Sequence, residues 1–454
     1  MRPAAVLLQG IDVGDTSYWS WEWRDDIAPG GVHVIPLDQV TAVLAELDDA
    51  LPGVRPAEQV PVEQLREMLS QAPSAVRAAS RETQDWMIEE GFPEHARTGA
   101  LRSYVAVNRS LTGAFARPDA ESSLMLRLAE VLLHDDFSAQ LEDVGDTTVE
   151  LAVLPSQSCA RVPWELLRLC SGDDTRILER AIVTTLAPLL TRGDEVERPS
   201  NDTPRSPLRV IDPASGGFVL DASVEPAWTA RPGRVSFHEV VDRIWLSEML
   251  PAASHLTYVG HVATDPDDPE PALTGLVLGE SPAEVWGASV VRGERRLTAH
   301  DALRGTVGYT GTLAVPPAAR GAGGEVLQRP GRELWPMPSR VAIIACESGS
   351  DYRDVEPFGL VTAFLELGAE SVTATRWALL TDHAFGLYEE GASPLNTAAL
   401  DVDSLQDEEA HPDPVAALAE WKRARLHDWR RDGKLSDSPI TWGAFTLYRA
   451  GERA

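Results

Sequence analysis

The sequence has 454 residues and a formal net charge of −30 at pH 7. This charge argues against nucleic acid as a direct ligand of the whole surface and favours a basic peptide or protein, although acidity also simply keeps a protein in solution. No stretch approaches a membrane span and the first apolar run is too short for a signal peptide, which predicts a cytoplasmic protein. The few cysteines fit a reducing compartment and show no metal-ligand spacing: Cys159, Cys170 and Cys346.

Residues 1–120 carry no recognisable motif, and their mixture of strand-like and helix-like segments predicts a mixed α/β accessory or regulatory lobe. A strand is expected over residues 6–13, and amphipathic patterns predict helices over 37–51 and 62–79. Three tryptophans alternate in one segment: Trp19, Trp21 and Trp23. On a strand they share one face, which we expect to cover the core and which, if exposed, would dock a partner.

From residue 121 to 454 strand and helix patterns alternate, which predicts one α/β domain with a mainly parallel sheet flanked by helices. Ser122 and Ser123 are expected to cap its first helix, and Pro163 suits the start of another. The composition of 316–324 predicts a flexible loop. The other predicted strands are 149–154, 208–213, 255–260, 276–278, 341–345 and 371–375, and the other predicted helices are 244–250 and 358–367.

Two of these strands end in residues that carry chemistry. The apolar run 341–345 stops at Cys346, and the run 255–260 stops at His261. The carboxyl ends of parallel strands are where α/β folds place their sites. Either residue alone is more often structural, but a thiol with an ordinary pKa of about 8.5 needs a proton acceptor to become a nucleophile. The pairing therefore favours a dyad in which Cys346 attacks and His261 acts as acid and base.

These two strand ends resemble those of the CHAT proteases, relatives of caspases and separases. Their histidine strand ends in Gly-His and their cysteine strand in Ala-Cys-Glu-Ser/Thr-Gly. Three further segments resemble the same family: 162–167, 358–377 and 439–445. The likeness covers about residues 122–449 and implies a caspase-like fold of the bacterial type without tetratricopeptide repeats. It implies a cysteine endopeptidase that a protein partner or signal activates, in defence or another regulated response, with no metal or organic cofactor.

The resemblance also implies roles for single residues. Backbone N–H groups of Cys346 and Val262 would hold the oxyanion, although the family usually has a small residue, often glycine, at the second position. Asp382, five residues after Trp377, resembles the aspartate of the specificity pocket, which implies cleavage after Arg or Lys. The alternative is that Asp382 caps the helix that follows it. Two other acids are weaker candidates for the same pocket: Glu347 and Asp351.

Some features leave their interpretation open. The segment 377–421 has no Lys or Arg and many acids, which is typical of a solvated loop but would also suit the mouth of a cleft that attracts basic substrates. Arg320 and Arg329 are candidate self-cleavage points in a loop. The main alternative function is a non-catalytic scaffold that binds a partner through its acidic face and tryptophan strand. Acyl transfer or ester hydrolysis on the same dyad is a second alternative.

Overall fold

In a computed structural model of the chain, segments with apolar patterns form β-strands, and these strands pair into sheets. It describes residues 4–24, 27–53, 60–144, 149–169, 172–187, 205–213, 219–263, 274–280, 286–287, 290–291, 294–345 and 357–450. None of the described helices is long and apolar enough to cross a membrane.

The strands of the described residues largely follow the predicted segments. β4 and β14 have the predicted bounds. The strands are β1 Ala4–Val13, β2 Thr16–Trp23, β3 Gly31–Pro36, β4 Val149–Leu154, β5 Ala181–Ala187, β6 Ser206–Ile211, β7 Arg234–Phe237, β8 Ala253–Gly260, β9 Val262–Ala263, β10 Gly275–Glu280, β11 Val290–Val291, β12 Glu294–Thr298, β13 Arg340–Ala345, β14 Ser371–Thr375 and β15 Phe445–Ala450.

The helices surround these strands. The α-helices of the described residues are α1 Leu37–Ala50, α2 Val62–Ser70, α3 Ser74–Glu89, α4 Glu94–Thr112, α5 Pro118–Leu132, α6 Asp135–Asp143, α7 Ile177–Arg180, α8 Glu225–Thr229, α9 Arg243–Met249, α10 Ala299–Arg304, α11 Gly331–Leu334, α12 Pro357–Glu366, α13 Asp382–Gly386, α14 Pro394–Leu405, α15 Pro414–Asp432 and α16 Pro439–Trp442.

Eleven strands of the described residues form one sheet, in the order β3-β2-β1-β4-β5-β15-β14-β13-β8-β6-β7. The pairs β3–β2, β2–β1 and β15–β14 are antiparallel, and the other neighbours are parallel. Two parallel halves therefore run in opposite directions and meet between β14 and β15. The predicted mainly parallel α/β class is confirmed. We call the edge at which β14, β13, β8, β6 and β7 end the carboxyl edge, and the edge at which they begin the amino edge.

The N-terminal strands belong to this same sheet, because β1 pairs with β4 along its length. The division into a lobe of residues 1–120 and a domain of 121–454 stays a prediction. The three alternating tryptophans lie on β2 and are buried, as expected. The ring of Trp19 packs 4.7 Å from that of Trp164, so this face of β2 joins the central core.

Two predicted helix boundaries were wrong. α5 begins at Pro118, so Ser122 and Ser123 lie inside the helix. The hydroxyl of Ser123 bonds back to the carbonyl of Asp119, as serines inside helices often do. The predicted helix over 62–79 is two helices, α2 and α3, separated at Pro73, because proline supplies no N–H and its ring disturbs the preceding turn.

Candidate active site

The two strands expected to carry the dyad are direct neighbours in the sheet. β8 and β13 pair in parallel, and their last residues, Gly260 and Ala345, lie opposite each other. His261 follows Gly260 at the carboxyl edge and is partly buried. Cys346 is the next residue of the chain after Ala345, but it lies outside the described residues. Two further predicted site residues also lie outside them: Glu347 and Asp351.

The backbone at His261 is held by hydrogen bonds. Its carbonyl accepts from the hydroxyl of Tyr258 at 2.8 Å and from the N–H of Val277 at 3.0 Å. The hydroxyl of Tyr258 folds back over Gly260, where an added Cβ would lie 2.7 Å from the phenolic oxygen. Any larger residue would displace the hydroxyl that holds the next carbonyl. The Gly-His sequence thus has a physical reason that the pattern alone did not reveal.

Val262, the second candidate oxyanion donor, begins β9 at the edge of a four-stranded sheet ordered β11-β12-β10-β9. It lies opposite Leu276, and the N–H of Val277 bonds to the carbonyl of His261. In an antiparallel ladder this arrangement makes Val262 and Leu276 a non-hydrogen-bonded pair, whose N–H groups face away from each other. The Val262 N–H therefore points away from β10, on the side where this sheet ends.

Sequence reasoning assigned no role to Asp212, which follows β6 at the same edge. Its N–H donates to the carbonyl of Val259 at 2.7 Å, so it lies beside the end of β8. Its side chain is buried and accepts hydrogen bonds from the N–H groups of Val219 at 2.9 Å and Leu220 at 2.6 Å. An acid directly after an apolar strand of a parallel sheet was the available signal. The possible importance of Asp212 became clear only from the strand order, which places β6 beside β8.

Asp382 is the first residue of α13 and binds the start of another helix. Its carboxylate accepts from the hydroxyl of Ser393 at 2.9 Å and from the N–H groups of Leu395 at 2.8 Å and Asn396 at 3.1 Å, at the N-terminus of α14. Thr381 caps α13 itself, so the alternative that Asp382 caps the helix following it was wrong. Burial raises the pKa of Asp382, although these hydrogen bonds oppose the effect. No Lys or Arg of the described residues forms an ion pair with it.

The acidic segment includes a residue that belongs to the interior. Asp403 on α14 is fully buried, although the sequence placed it in a charged surface run. Its carboxylate accepts hydrogen bonds at 2.8 Å from three side chains of other elements: Arg209, Arg231 and Thr257. Burial opposes its ionisation, but contact with His255 and the charge of Arg209 outweigh burial and lower the pKa of Asp403 to about 2. Asp403 joins α14 to the sheet.

Another acid of this segment lies at the amino edge. The Glu408 carboxylate lies 4.0 Å from the Nε of Arg340, the first residue of β13. Ala345 ends the same strand, about 17 Å away at 3.3 to 3.4 Å per residue. For Asp403 and Glu408, the hypothesis that the acids surround the mouth of a cleft at the carboxyl edge was wrong.

The segment around Pro163 holds the scaffold together through a buried charge cluster. The carboxylate of Glu165 bonds to the guanidinium of Arg376 at 2.9 and 3.2 Å and to the ammonium of Lys422. Arg376 follows β14, and Lys422 also donates to the carbonyl of Phe445 on β15. This cluster therefore joins three of the segments that carry the family resemblance. These bonds give Glu165 a structural role.

The structure also describes one other cysteine, Cys159, and the two loop arginines named as candidate cleavage points. Cys159 is buried, and burial raises the pKa of its thiol to about 11, so it stays protonated at neutral pH. Cys170 lies outside the described residues. Arg320 forms a bridge with Val326, and the backbone of Arg329 bonds to Thr306, so both candidate cleavage points lie in hydrogen-bonded backbone. Among the described residues, no group of three or more His, Cys, Asp or Glu side chains could hold a metal ion.

Comparison with known proteins gives one family and two similar structures. The family model for the CHAT domain matches residues 123–450. A crystal structure of the Saccharomyces cerevisiae separase–securin complex at 3.0 angstrom resolution is similar with a TM-score of 0.44 and 10% identity, over 98% of this chain and 30% of the other. A second, at 2.6 angstrom resolution, has a TM-score of 0.42 and 12% identity with the same coverage. The chain thus spans 30% of their length. No curated protein matches.

Proposed function

Because this chain belongs to the CHAT domain family of caspase-like proteases, we propose that it is a cysteine endopeptidase with Cys346 as nucleophile and His261 as acid and base. One observation carries the proposal: Gly260 lies opposite Ala345 at the ends of two neighbouring parallel strands. The next residues of the chain are His261 and Cys346. Strands are spaced about 4.8 Å apart, so a thiol and an imidazole that follow such ends are within reach of each other.

The proposed reaction has two halves. The Cys346 thiolate attacks the scissile carbonyl carbon, and the backbone N–H groups of Val262 and Cys346 bind the oxygen that takes the electron pair. The intermediate collapses, the C–N bond breaks, and the imidazolium of His261 protonates the leaving amine. His261 then removes a proton from water, which attacks the carbonyl carbon of the thioester. The C–S bond breaks, the carboxylic acid is released, and the Cys346 thiolate is regenerated. The orientation of the Val262 N–H, away from β10, supports its part in this scheme.

We infer that Asp382 selects substrates with Arg or Lys before the scissile bond. A carboxylate that is largely buried without a cationic partner is costly, and its pKa is raised accordingly. A substrate guanidinium would supply the missing charge and could bind in a bidentate manner. Glu347 and Asp351 remain weaker candidates for the same pocket.

Thiol labelling tests the dyad without a known substrate. The rate of alkylation of Cys346 by iodoacetamide is measured from pH 5 to 9 by peptide mass spectrometry, with the buried Cys159 as internal reference. We expect rapid labelling that persists below the ordinary thiol pKa of about 8.5 and slows in His261→Ala. Labelling at an ordinary rate, with an ordinary pH midpoint and no effect of His261→Ala, would refute the dyad.

The reaction type and target are tested in cells that produce either the wild type or Cys346→Ala. Mapping of new chain ends by mass spectrometry is expected to find peptide ends after Arg or Lys that only the wild type generates. New ester or amide bonds in place of paired ends would indicate acyl transfer instead. Fragments ending at Arg320 or Arg329 would show self-cleavage, and we expect none while those segments stay folded.

Helices α2–α4 are the place where we propose that a protein partner activates the enzyme. They enclose a small core of their own, against which Leu387 and Tyr388, directly after α13, are packed. The hydroxyl of Tyr388 lies 2.8 Å from the amide oxygen of Asn108 on α4. The N-terminal helices thus touch the segment that begins with Asp382. A shift of these helices would reach the proposed specificity residue directly.

The same helices expose an apolar surface with acidic surroundings. The rings of Trp86 and Phe92 lie 5.2 Å apart, and both are exposed, as is Ile88. Residues 82–96 contain five acids and no Lys or Arg: Glu82, Asp85, Glu89, Glu90 and Glu94. The partner we propose is therefore a protein segment with apolar and basic side chains.

A photo-crosslinking residue tests this surface in cells. Placed at position 88, it should capture one protein, which should not be captured from the equally exposed position 32 on β3. The purified partner should raise the rate of Cys346 labelling in the wild type and much less in Trp86→Ala. Capture without any effect on Cys346 would refute activation through this surface. The cytoplasmic location and a role in defence stay predictions.

The scaffold alternative loses much of its support. It relied on an exposed tryptophan strand and an acidic face, but the tryptophans of β2 are buried. Within the acidic run, Asp403 forms hydrogen bonds inside the protein and Glu408 lies beside Arg340, so neither is a free surface charge for a partner. The labelling experiment distinguishes the two functions, because the thiol of Cys346 in a non-catalytic scaffold should react at an ordinary rate.

A further inference from the structure

Four neighbouring strands that end at the carboxyl edge are each followed in the sequence by a residue that can carry chemistry. β13, β8, β6 and β7 are consecutive in the sheet, and all four are parallel. Ala345 is opposite Gly260, Val259 is opposite Ile211, and Ile211 is opposite Phe237. The residues that directly follow these strands are Cys346, His261, Asp212 and His238. His261 therefore comes between the nucleophile strand on one side and the Asp212 strand on the other.

Asp212 is built into a fixed and unusual backbone position. Its φ is +46°, in the left-handed region, and that of His238, which directly follows β7, is +54°. Few non-glycine residues adopt this conformation, and those that do cluster at functional sites. The N–H of Asp212 continues the β6–β8 ladder, and two backbone N–H groups fix both oxygens of its carboxylate. The carboxylate is therefore oriented before any substrate binds.

A histidine is the basic side chain in contact with Asp212 among the described residues. The Nε2 of His238 lies 3.7 Å from its Oδ2, and no Lys or Arg of the described residues forms an ion pair with it. Burial raises the pKa of Asp212, whereas its two N–H partners and the charges of His261 and His238 oppose the rise. Asp212 also raises the pKa of the buried Tyr258, after the larger effect of burial. Asp212 therefore lies beside the end of the strand that His261 follows, where a positive charge on the imidazole would favour the ionised carboxylate.

We propose that Asp212 is a positioning residue that orients the imidazole of His261 and stabilises its imidazolium form. This inference rests on the proposed function, since it assigns His261 the role of base. A base that a third group orients is the usual companion of an activated nucleophile. The competing explanation is that Asp212 only fastens residues 219 and 220 to the sheet.

Asp212→Asn removes the charge with nearly the same shape. The imidazole pKa of His261 is measured by NMR in the full chain, on a Cys346→Ala background so that no thiolate contributes. We expect the pKa of His261 to fall by about one unit, a tenfold change in the protonated fraction. The other titratable groups that interact with Asp212 are left unchanged, namely His238 and Tyr258, as is Asp221, which interacts with His238.

Asp413→Asn is the matched control. Asp413 also accepts two backbone N–H bonds, at 2.9 and 3.2 Å, but caps α15. We expect it to lose stability without changing the pKa of His261. Equal losses of stability with an unchanged His261 pKa in Asp212→Asn would leave Asp212 as a fastener of the loop and overturn the proposal.

A reciprocal measurement covers the case in which Asp212→Asn does not fold. If the two groups interact, His261→Ala must raise the pKa of Asp212 by the same amount, because such coupling is mutual. This is followed through the carboxyl carbon of Asp212, and an unchanged value would refute the interaction. If Cys346 of the wild type were labelled slowly and with an ordinary pH midpoint, the proposed protease activity would be refuted. The proposed interaction between Asp212 and His261 would remain. The two failures are therefore distinguishable.

Discussion

Two kinds of buried carboxylate lie in this chain, and they differ in what neutralises them. Glu165 and Asp403, the ion-paired carboxylates, bond to Arg or Lys side chains from distant elements. Asp212 and Asp382, the amide-held carboxylates, are bound mainly by backbone N–H groups and have no Lys or Arg ion pair among the described residues. Glu165, Asp403 and Asp212 are buried and Asp382 is partly buried, but only the first pair forms ion pairs with Lys or Arg among the described residues.

The acidities follow the same division. The pKa of Glu165 is lowered, because Arg376 and Lys422 outweigh the effect of burial, and that of Asp403 is lowered to about 2. Burial raises the pKa of both Asp212 and Asp382. An uncompensated buried charge costs stability, and such groups concentrate where proteins bind and react. The comparison assigns Glu165 and Asp403 to the scaffold and supports the proposal that Asp212 and Asp382 belong to the site.

The largest expected effect on the scaffold comes from Glu165→Gln. It leaves the buried Arg376 and Lys422 without their counter-charge, and breaking one partner of a buried pair costs about 3 to 5 kcal/mol. The measurement is the free energy of unfolding in urea at pH 7. Glu333→Gln is the control, because its partner Arg329 is about half exposed and such pairs contribute less than about 1 kcal/mol. Similar losses in both variants would erase the distinction between buried and exposed pairs.

The second expected effect is on catalytic activity and comes from Asp382, one of the amide-held carboxylates. Asp382→Asn should lower kcat/KM for cleavage after Arg on the order of 100-fold, about 3 kcal/mol, because the substrate cation loses its counter-charge in a desolvated site. Peptides with citrulline in place of Arg measure this directly. The wild type should prefer Arg, and the variant should not.

The control for this prediction is Asp413→Asn, which also alters a carboxylate at a helix N-terminus. It should leave the preference for Arg unchanged. Both variants should change the free energy of unfolding by only about 1 kcal/mol. A variant of Asp382 that keeps the preference while losing stability would make this residue a helix cap and nothing more.

These partnerships mark the limit of what the sequence could predict. The strand patterns ending at Gly260 and Ala345 were readable, since local alternation and apolar runs encode strands directly. The partner of Asp403 was not, because Arg209 lies 194 residues away in the chain. A charge run looks the same whether its members face water or an arginine of another element. Only the sheet order decides between them.

The site divides in the same way. The dyad stays a prediction, but the two strands on which it rests were recognisable in the sequence, and the structure pairs them in parallel. Asp212 could not be predicted, because its relation to His261 depends on β6 lying beside β8, an adjacency that no local pattern encodes. The helix-capping partners of Asp382 come from residues 393–396, beyond an intervening helix and turn. Tertiary contacts, which the sequence pattern does not specify, decide these roles.

A third, smaller effect tests the charge state of Asp403. Because its pKa is lowered in the folded protein, its contribution to stability is complete above the unfolded value of about 3.9 and is lost as the pH falls toward 2. The shift corresponds to about 2 kcal/mol. Asp403→Asn should therefore be less stable than the wild type by about this amount at pH 7, and the gap should narrow at pH 3. A gap that is the same at both pH values would show that charge is not what Asp403 contributes.

The smallest expected effect tests whether a neutral hydrogen bond, as well as the charge of Asp212, positions His261 at the carboxyl edge. Tyr258→Phe removes the hydroxyl that bonds to the carbonyl of His261 and should cost about 1 kcal/mol of unfolding free energy. Tyr104→Phe is the control, since its hydroxyl lies 2.9 Å from that of Thr83 in the N-terminal helices. Both variants should lose similar stability, but only Tyr258→Phe should slow alkylation of Cys346, because only there does a backbone shift move the imidazole. Equal reactivity in the two variants would mean that charge alone, through Asp212, positions His261.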